Sequence, residues 1–211
     1  MLEDVEALLD AAIAGWHTLS GEWRQTLYEK KMSPALHVTI KHVLEDQRSA
    51  LDYTAYAIAE ACGKASSKIY YPMAQSAERF PAAMEDRMKG IAAALPTVAE
   101  AIERHQPYRQ VALRYLSKLT REHKHRRLTR HEWTVRPGTA VVKGGSLGWY
   151  GLGWPIWLVD PDSPTPPDGN IETTFVDWYF SDPSVPVLGT LADIQDTVRA
   201  ALLDIHQAAR L

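Results

Sequence analysis

The chain has 211 residues, 45% of them hydrophobic and 23% charged, with a formal net charge of −3; this fits one compact globular unit and leaves little room for long disorder or two independent cores. A single cysteine, Cys62, excludes an internal disulfide and a cysteine-rich zinc site and fits a reducing compartment. No apolar run reaches the ~18–20 residues a membrane span needs, and the acidic start MLEDVEALLD is unlike an export signal, so a soluble, cytoplasmic protein without membrane association is expected.

The first segment reads as a helix: Leu2, Val5, Leu8, Leu9, Ala12, Ile13, Trp16, Leu19, Trp23 and Leu27 recur at helical spacing, and Gly21 dents it without ending it. Ser33-Pro34 then supplies a cap and a proline for the first turn of a second helix, from about Pro34 to Cys62, with Gly63 placed to stop it. Gln47 falls in the middle of that helix's apolar stripe, and Arg48 and Asp52 lie on its shoulder. Residues 63–81 read as a loop with a short extended piece at Ile69–Tyr71 before Pro72. Short helices are expected over Pro81–Leu95 and Pro96–His105, and a third long helix from Pro107 to about Leu128.

From His131 the texture changes. WTVRPGTAVV, PIWLV and IETTFVDWYF read as strands, residues 144–153 as a glycine-rich connection, and DPDSPTPPDGN as a surface loop. Gly189-Thr190 leads into a closing helix with Leu191, Ile194, Val198, Ala201, Leu202 and Ile205 on one face. The expected fold is α+β: a helical bundle over residues 1–130, then a small antiparallel sheet and a C-terminal helix over 131–211, packed as one compact domain.

Charge is unevenly spread. Residues 118–136 carry a local +5 with His123, His125 and His131 among them, whereas Gly144–Val198 contains no Lys or Arg. Such a basic segment suits phosphate binding, or it is compensated by the acidic half of the chain. Along the third long helix Tyr108, Val111, Ala112, Tyr115, Leu116 and Leu119 form an apolar face that continues into Glu122, His123, Arg126 and Arg130. Buried charge is costly unless paired, so these groups need partners across an interface or line a cleft. Arg48, Asp52 and Gln47 are the natural candidates. Two readings stay open: a structural ionic cluster (Arg126 with Asp52, Arg48 with Glu122), or a polar site in which His123 or His125 acts as a base and arginine holds an oxyanion.

No HExxH or other tight ligand set appears and the glycines of 144–153 lack a following GK[ST], so no metal, P-loop or other cofactor is expected. His37 and His42 point to different faces of their helix. Trp149, Tyr150, Trp154 and Trp157 suit either a stacking surface or the core of a small sheet.

Arg48-Ser49-Ala50-Leu51-Asp52-Tyr53, Tyr71-Pro72-Met73, Gln106-Pro107-Tyr108 and His123-Lys124-His125-Arg126 together resemble an "LRSALD … QPY … KHR" layout of bacterial and phage-encoded helical proteins, similar to the HEPN superfamily. The resemblance covers about residues 36–130. It implies a HEPN-like antiparallel bundle and a homodimer acting on RNA as a metal-independent ribonuclease of defence or toxin type. In such enzymes an arginine followed a few residues later by histidine activates the ribose 2′-hydroxyl and stabilises the charged transition state; Arg126 and His131 have that spacing. On this reading Arg126 binds phosphate, His123, His125 or His131 is the base, Arg48 and Asp52 orient them, and Gln47, Glu122, Lys124 and Arg130 complete the binding surface. The superfamily also holds inactive members, so the alternative is a non-catalytic module that binds a protein partner through a structural polar cluster and an aromatic sheet.

Overall fold

The computed structural model describes residues 2–125, 131–143, 146–149 and 169–209, with side chains described at all of these except 122–125, 135–143, 146–149 and 169–176. Helix α1 (Glu3–Glu29) runs through Gly21 without a break and places Glu3, Asp4 and Glu6 in its first turn, where carboxylates meet the positive end of the helix dipole. It ends where Lys30 adopts a left-handed conformation and its N–H reaches back to the last turn. Helix α2 (Pro34–Ala61) opens as the sequence requires: the Ser33 hydroxyl accepts from the Leu36 N–H and Pro34 fills the first turn. Its end is held by Gly63 at φ +64°, beside which the Lys64 N–H donates to the Ala59 carbonyl at 2.8 Å.

The two long helices lie side by side. They approach closely at Gly15, where an added Cβ would stand 2.6 Å from a methyl of Val43.

The segment expected as one helix over Pro81–Leu95 is two, α3 (Phe80–Arg87) and α4 (Ile91–Ala94). The break falls at Met88, which is fully buried, and Gly90, which takes φ +70°; burying Met88 requires a reversal that the left-handed glycine supplies. Helix α5 (Pro96–Arg104) follows as expected. Helix α6 (Val111–His125) starts four residues later than Pro107, because Gln106 heads a tight turn whose carbonyl receives the N–H groups of Arg109 and Gln110 at 2.8 and 2.9 Å. The stretch between His125 and Leu128 that the sequence assigns to this helix lies outside the described residues.

The small sheet is antiparallel. Strand β1 (His131–Lys143) pairs with β3 (Gly169–Phe180) from His131↔Phe180 to Val142↔Gly169, and its far end also pairs with β2 (Ser146–Trp149), in the order β2-β1-β3. Ser146–Trp149, expected as part of a glycine-rich connection, is therefore a strand, while the expected strand PIWLV lies outside the described residues. Pro137 sits opposite Thr174, on a stretch of β1 that β2 does not reach. Within sheets proline is confined to such edge positions.

Helix α7 (Val187–Ala209) closes the fold against α1, α2, α5 and α6. Its expected face is all buried: Leu191, Ile194, Val198, Ala201, Leu202 and Ile205. The described end of the sheet is fastened to the C-terminal turns of α1 by three indoles. Trp23 Nε1 donates to Asp177 Oδ1 at 2.8 Å, Trp178 Nε1 to Thr26 Oγ1 at 3.0 Å, and Trp133 Nε1 to the Leu27 carbonyl at 3.3 Å. Each indole buries a large apolar body and still satisfies its one donor. Among the described residues no helix is long and apolar enough to cross a membrane.

Candidate functional site

Two polar constellations stand on α2. The first is built by Arg48 and Asp52, one turn apart. Arg48 Nε and Nη2 donate to the two carboxylate oxygens of Asp52 at 3.1 and 2.8 Å, and Nη2 also donates to the Tyr71 carbonyl at 2.9 Å. Asp52 Oδ1 in turn accepts the Tyr71 N–H at 2.8 Å. Arg48 thus finds a carboxylate on its own helix, and both residues grip the loop that precedes α3; the side chain of Glu122, its expected partner, lies outside the described ones.

Gln106 grips the same loop from the other side. Its amide oxygen accepts the Ala74 N–H at 2.9 Å, and its nitrogen donates to the carbonyls of Pro72 and Ile102 at 3.1 and 3.0 Å. Tyr71 is buried between them, with its hydroxyl donating to the His105 carbonyl at 3.0 Å. Burial pushes the Tyr71 phenol well above its ordinary pKa, so it remains a neutral donor. His105 Nε2 lies 3.0 Å from Asp204, which also receives Arg104 at 2.9 Å; the Arg104 hydrogen bonds hold the Asp204 carboxyl below its usual range. The motif residues Arg48, Asp52, Tyr71, Pro72 and Gln106 therefore form one latch that fastens the loop to α2 and to the head of α6.

Beside this latch a cleft of about 490 Å³ opens between α2, the loop and α3, with Arg48, Asp52, Tyr70, Tyr71, Asp86 and Arg87 in its walls. Arg87 Nε pairs with Asp86 Oδ2 at 3.0 Å, and the Arg87 guanidinium carbon lies 5.9 Å from the centre of the Tyr70 ring.

The second constellation is a histidine pair. His131, the first residue of β1, places Nδ1 2.9 Å from Nδ1 of His37 in the first turn of α2, with ring centres 4.7 Å apart. The His131 ring also rests on Phe180, 5.2 Å between centres. Burial lowers the His37 pKa, which keeps this imidazole neutral at pH 7. One Nδ1 must then carry the proton and the other accept it.

Helix α6 connects the two levels. Gln106 at its head meets the loop gripped by Asp52, and the strand that follows it returns to His37. The fifteen residues of α6 rise ~22 Å, as do the fifteen steps from His37 to Asp52. The last turn of α6, which holds Glu122, His123, Lys124 and His125, accordingly stands near the level of the N-terminal half of α2, where Lys41 and Glu45 pair at 2.5 Å. Arg126 and Arg130 lie outside the described residues. Gln47 is separate from both constellations: it is fully buried, and among the described residues neither side-chain amide atom has a hydrogen-bond partner.

Sequence reasoning named Arg48, Asp52 and His131 but missed their partners. His37 was visible only as one of two histidines on different helix faces, and nothing local marks its contact with a residue so distant in the chain. Tyr70 and Arg87 carry no pattern at all. Among the described residues no group of three or more His, Cys, Asp or Glu is gathered to hold a metal ion. Compared with known proteins, the chain matches no family model, no curated protein and no solved structure.

Proposed function

We propose that the chain is a HEPN-like RNA-binding protein that cleaves RNA without a metal ion. The observation that carries this reading is the pair His37–His131, two half-buried imidazoles in hydrogen-bond contact, with Arg126, Arg127 and Arg130 directly preceding His131 in the chain. With the Nδ1 proton of His37 donated to Nδ1 of His131, Nε2 of His37 is left with its lone pair as the base. Its lowered pKa keeps that lone pair free at neutral pH.

In the step proposed, His37 takes the proton of a ribose 2′-hydroxyl. The oxygen attacks the adjacent phosphorus, and the bond from phosphorus to the 5′-oxygen breaks. That oxygen recovers a proton from the His37 imidazolium, which returns to its neutral form, leaving a 2′,3′-cyclic phosphate and a 5′-hydroxyl. Arg126, Arg130 and Lys124 neutralise the phosphate, and His123 and His125 stand on the same helix terminus as alternative proton carriers.

Incubating the purified protein with mixed RNA in EDTA tests this. Fragments with 2′,3′-cyclic phosphate ends are expected, with at least a hundredfold loss of rate in Arg126→Ala and in His37→Asn. No cleavage by the clean protein, or activity retained in both variants, removes the enzymatic reading.

The latch favours a second reading. The residues that carry the HEPN-like layout in the middle of the chain are engaged in holding a loop, as they would be in a non-catalytic module whose polar cluster is structural and whose partner is another protein. A protein that shows no cleavage, yet captures a defined partner through its sheet, would fit this alternative.

A further inference from the structure

The cleft beside the latch is unlike a simple anion site. Its two guanidinium groups are each matched by a carboxylate, Arg48 by Asp52 and Arg87 by Asp86, so its formal charge is zero. What it offers is an arrangement of unused hydrogen-bonding groups. Arg48 spends Nε and Nη2 on Asp52 and Tyr71 and leaves both N–H groups of Nη1 without a partner among the described residues. Arg87 pairs with Asp86 through Nε, and among the described residues no hydrogen bond is made by its two terminal nitrogens or by Asp86 Oδ1, which leaves them as donors and an acceptor. Tyr70 is 42% exposed at the rim and adds an aromatic face. The volume of about 490 Å³ is that of a small-molecule site. Arg48, fixed by three hydrogen bonds, needs no reordering when a ligand arrives.

A neutral site with guanidinium donors, a carboxylate acceptor and a stacking face matches a planar ligand that has donors and acceptors along its edges. Among nucleobases guanine fits this set. Its O6 and N7 accept from a guanidinium, and its N1–H and N2–H groups donate to a carboxylate, whereas adenine offers no such pair of donors to Asp86. We propose that the Arg48–Tyr70–Arg87 cleft is a binding site for an unpaired guanine nucleotide. Arg48 and Arg87 hold the O6 and N7 edge, Asp86 takes the N1 and N2 protons, and the base lies on Tyr70. Free guanosine monophosphate and an unpaired guanosine in RNA present the same base. Arg48 stands three turns along α2 from His37 and on the same side, ~16 Å away, so one strand lying along this helix reaches both. The site stands on the cleft alone and does not require the cleavage proposed above.

Titration of the full chain by calorimetry with guanosine monophosphate, guanosine, adenosine monophosphate and uridine-rich RNA bearing one unpaired G tests it. Guanosine and its monophosphate are expected to bind with similar affinity, because the cleft is neutral, and adenosine monophosphate at least tenfold more weakly. Tyr70→Ala and Arg87→Ala change exposed side chains outside the core, and each should weaken guanosine monophosphate at least tenfold while the circular dichroism is unchanged. His37→Asn should leave the titration as it is, which separates this site from the catalytic reading. Tighter capture of the RNA than of the mononucleotide identifies RNA as the source of the base, and equal affinity identifies the free nucleotide; both uphold the site. Absence of saturable binding at millimolar guanosine monophosphate, equal binding of the adenine nucleotide, or full binding in both cleft variants overturns it.

Discussion

The indole N–H of Trp23 donates to Oδ1 of Asp177 at 2.8 Å, and this contact joins the C-terminal part of α1 to the end of β3. The same oxygen accepts the N–H of Trp178 at 2.7 Å. Two donors favour the carboxylate, but burial outweighs them and raises the Asp177 pKa from 3.8 to about 6. Desolvation wins because neither donor carries a full charge.

This shift has a definite sign in stability. The folded state holds the Asp177 proton more tightly than the unfolded chain does. The contribution is therefore fully present below about pH 3.8 and is lost as pH rises through about 6. Above that, folding bears a buried carboxylate at a cost of about 2–3 kcal/mol. Asp177→Asn keeps a carbonyl oxygen for Trp23 and Trp178 and removes the charge. Urea denaturation should find the variant more stable by about 2–3 kcal/mol at pH 8 and nearly equal to the parent at pH 4. A variant no more stable at pH 8 would show that the hydrogen bonds, not desolvation, govern this carboxyl.

Gly15 and Gly21 lie on the same helix and should respond to alanine in opposite directions. In an exposed helix interior alanine gains about 0.5–1 kcal/mol over glycine. At Gly21 no atom of the described residues lies within 4 Å of an added Cβ, so Gly21→Ala should gain that amount. At Gly15 the new atom would meet Val43 Cγ2 at 2.6 Å. That methyl belongs to a short, buried side chain on α2 and has little room to give, so overpacking of about 1–3 kcal/mol exceeds the propensity gain. Thermal unfolding of the two variants should move Tm up for Gly21→Ala and down for Gly15→Ala. An upward shift for Gly15→Ala would mean that α1 and α2 do not meet closely at Gly15.

Much of the fold was legible because it follows from local chemistry. The Ser33-Pro34 start of α2, its stop at Gly63 and the buried face of α7 are signals of period and capping that each segment carries by itself. The break between α3 and α4 was missed because burial of Met88, a tertiary event, decides where the chain reverses. The late start of α6 has the same origin: Gln106 is drawn inward to bond Pro72, Ala74 and Ile102, and the turn follows its side chain. At the candidate sites the sequence pointed to Glu122 as the partner of Arg48 and to Arg126 as that of Asp52; in the folded chain Arg48 and Asp52 bond each other, and only folding brings Tyr71 to them. The contact between His37 and His131 joins residues 94 apart in sequence, so no local pattern could foretell it.

Gln47 tests what a polar residue costs at the centre of this core. It occupies the middle of the apolar face of α2, is fully buried, and among the described residues finds no hydrogen-bond partner for its amide nitrogen or its amide oxygen. Leaving such a group unsatisfied costs about 1–3 kcal/mol. Methionine has nearly the same length and branching and brings no polar hydrogen, and volume-conserving exchanges are the best tolerated in packed interiors. Gln47→Met should therefore raise stability by about 1–3 kcal/mol, read as a higher urea midpoint with an unchanged m-value. The outcome also bears on the site residues named from the sequence. If Gln47 contributes only a penalty, the substitution leaves RNA cleavage and guanine nucleotide binding as they were, and Gln47 drops out of the binding surface. A loss of stability in Gln47→Met would instead mean that the amide finds partners in the native state and contributes to the core.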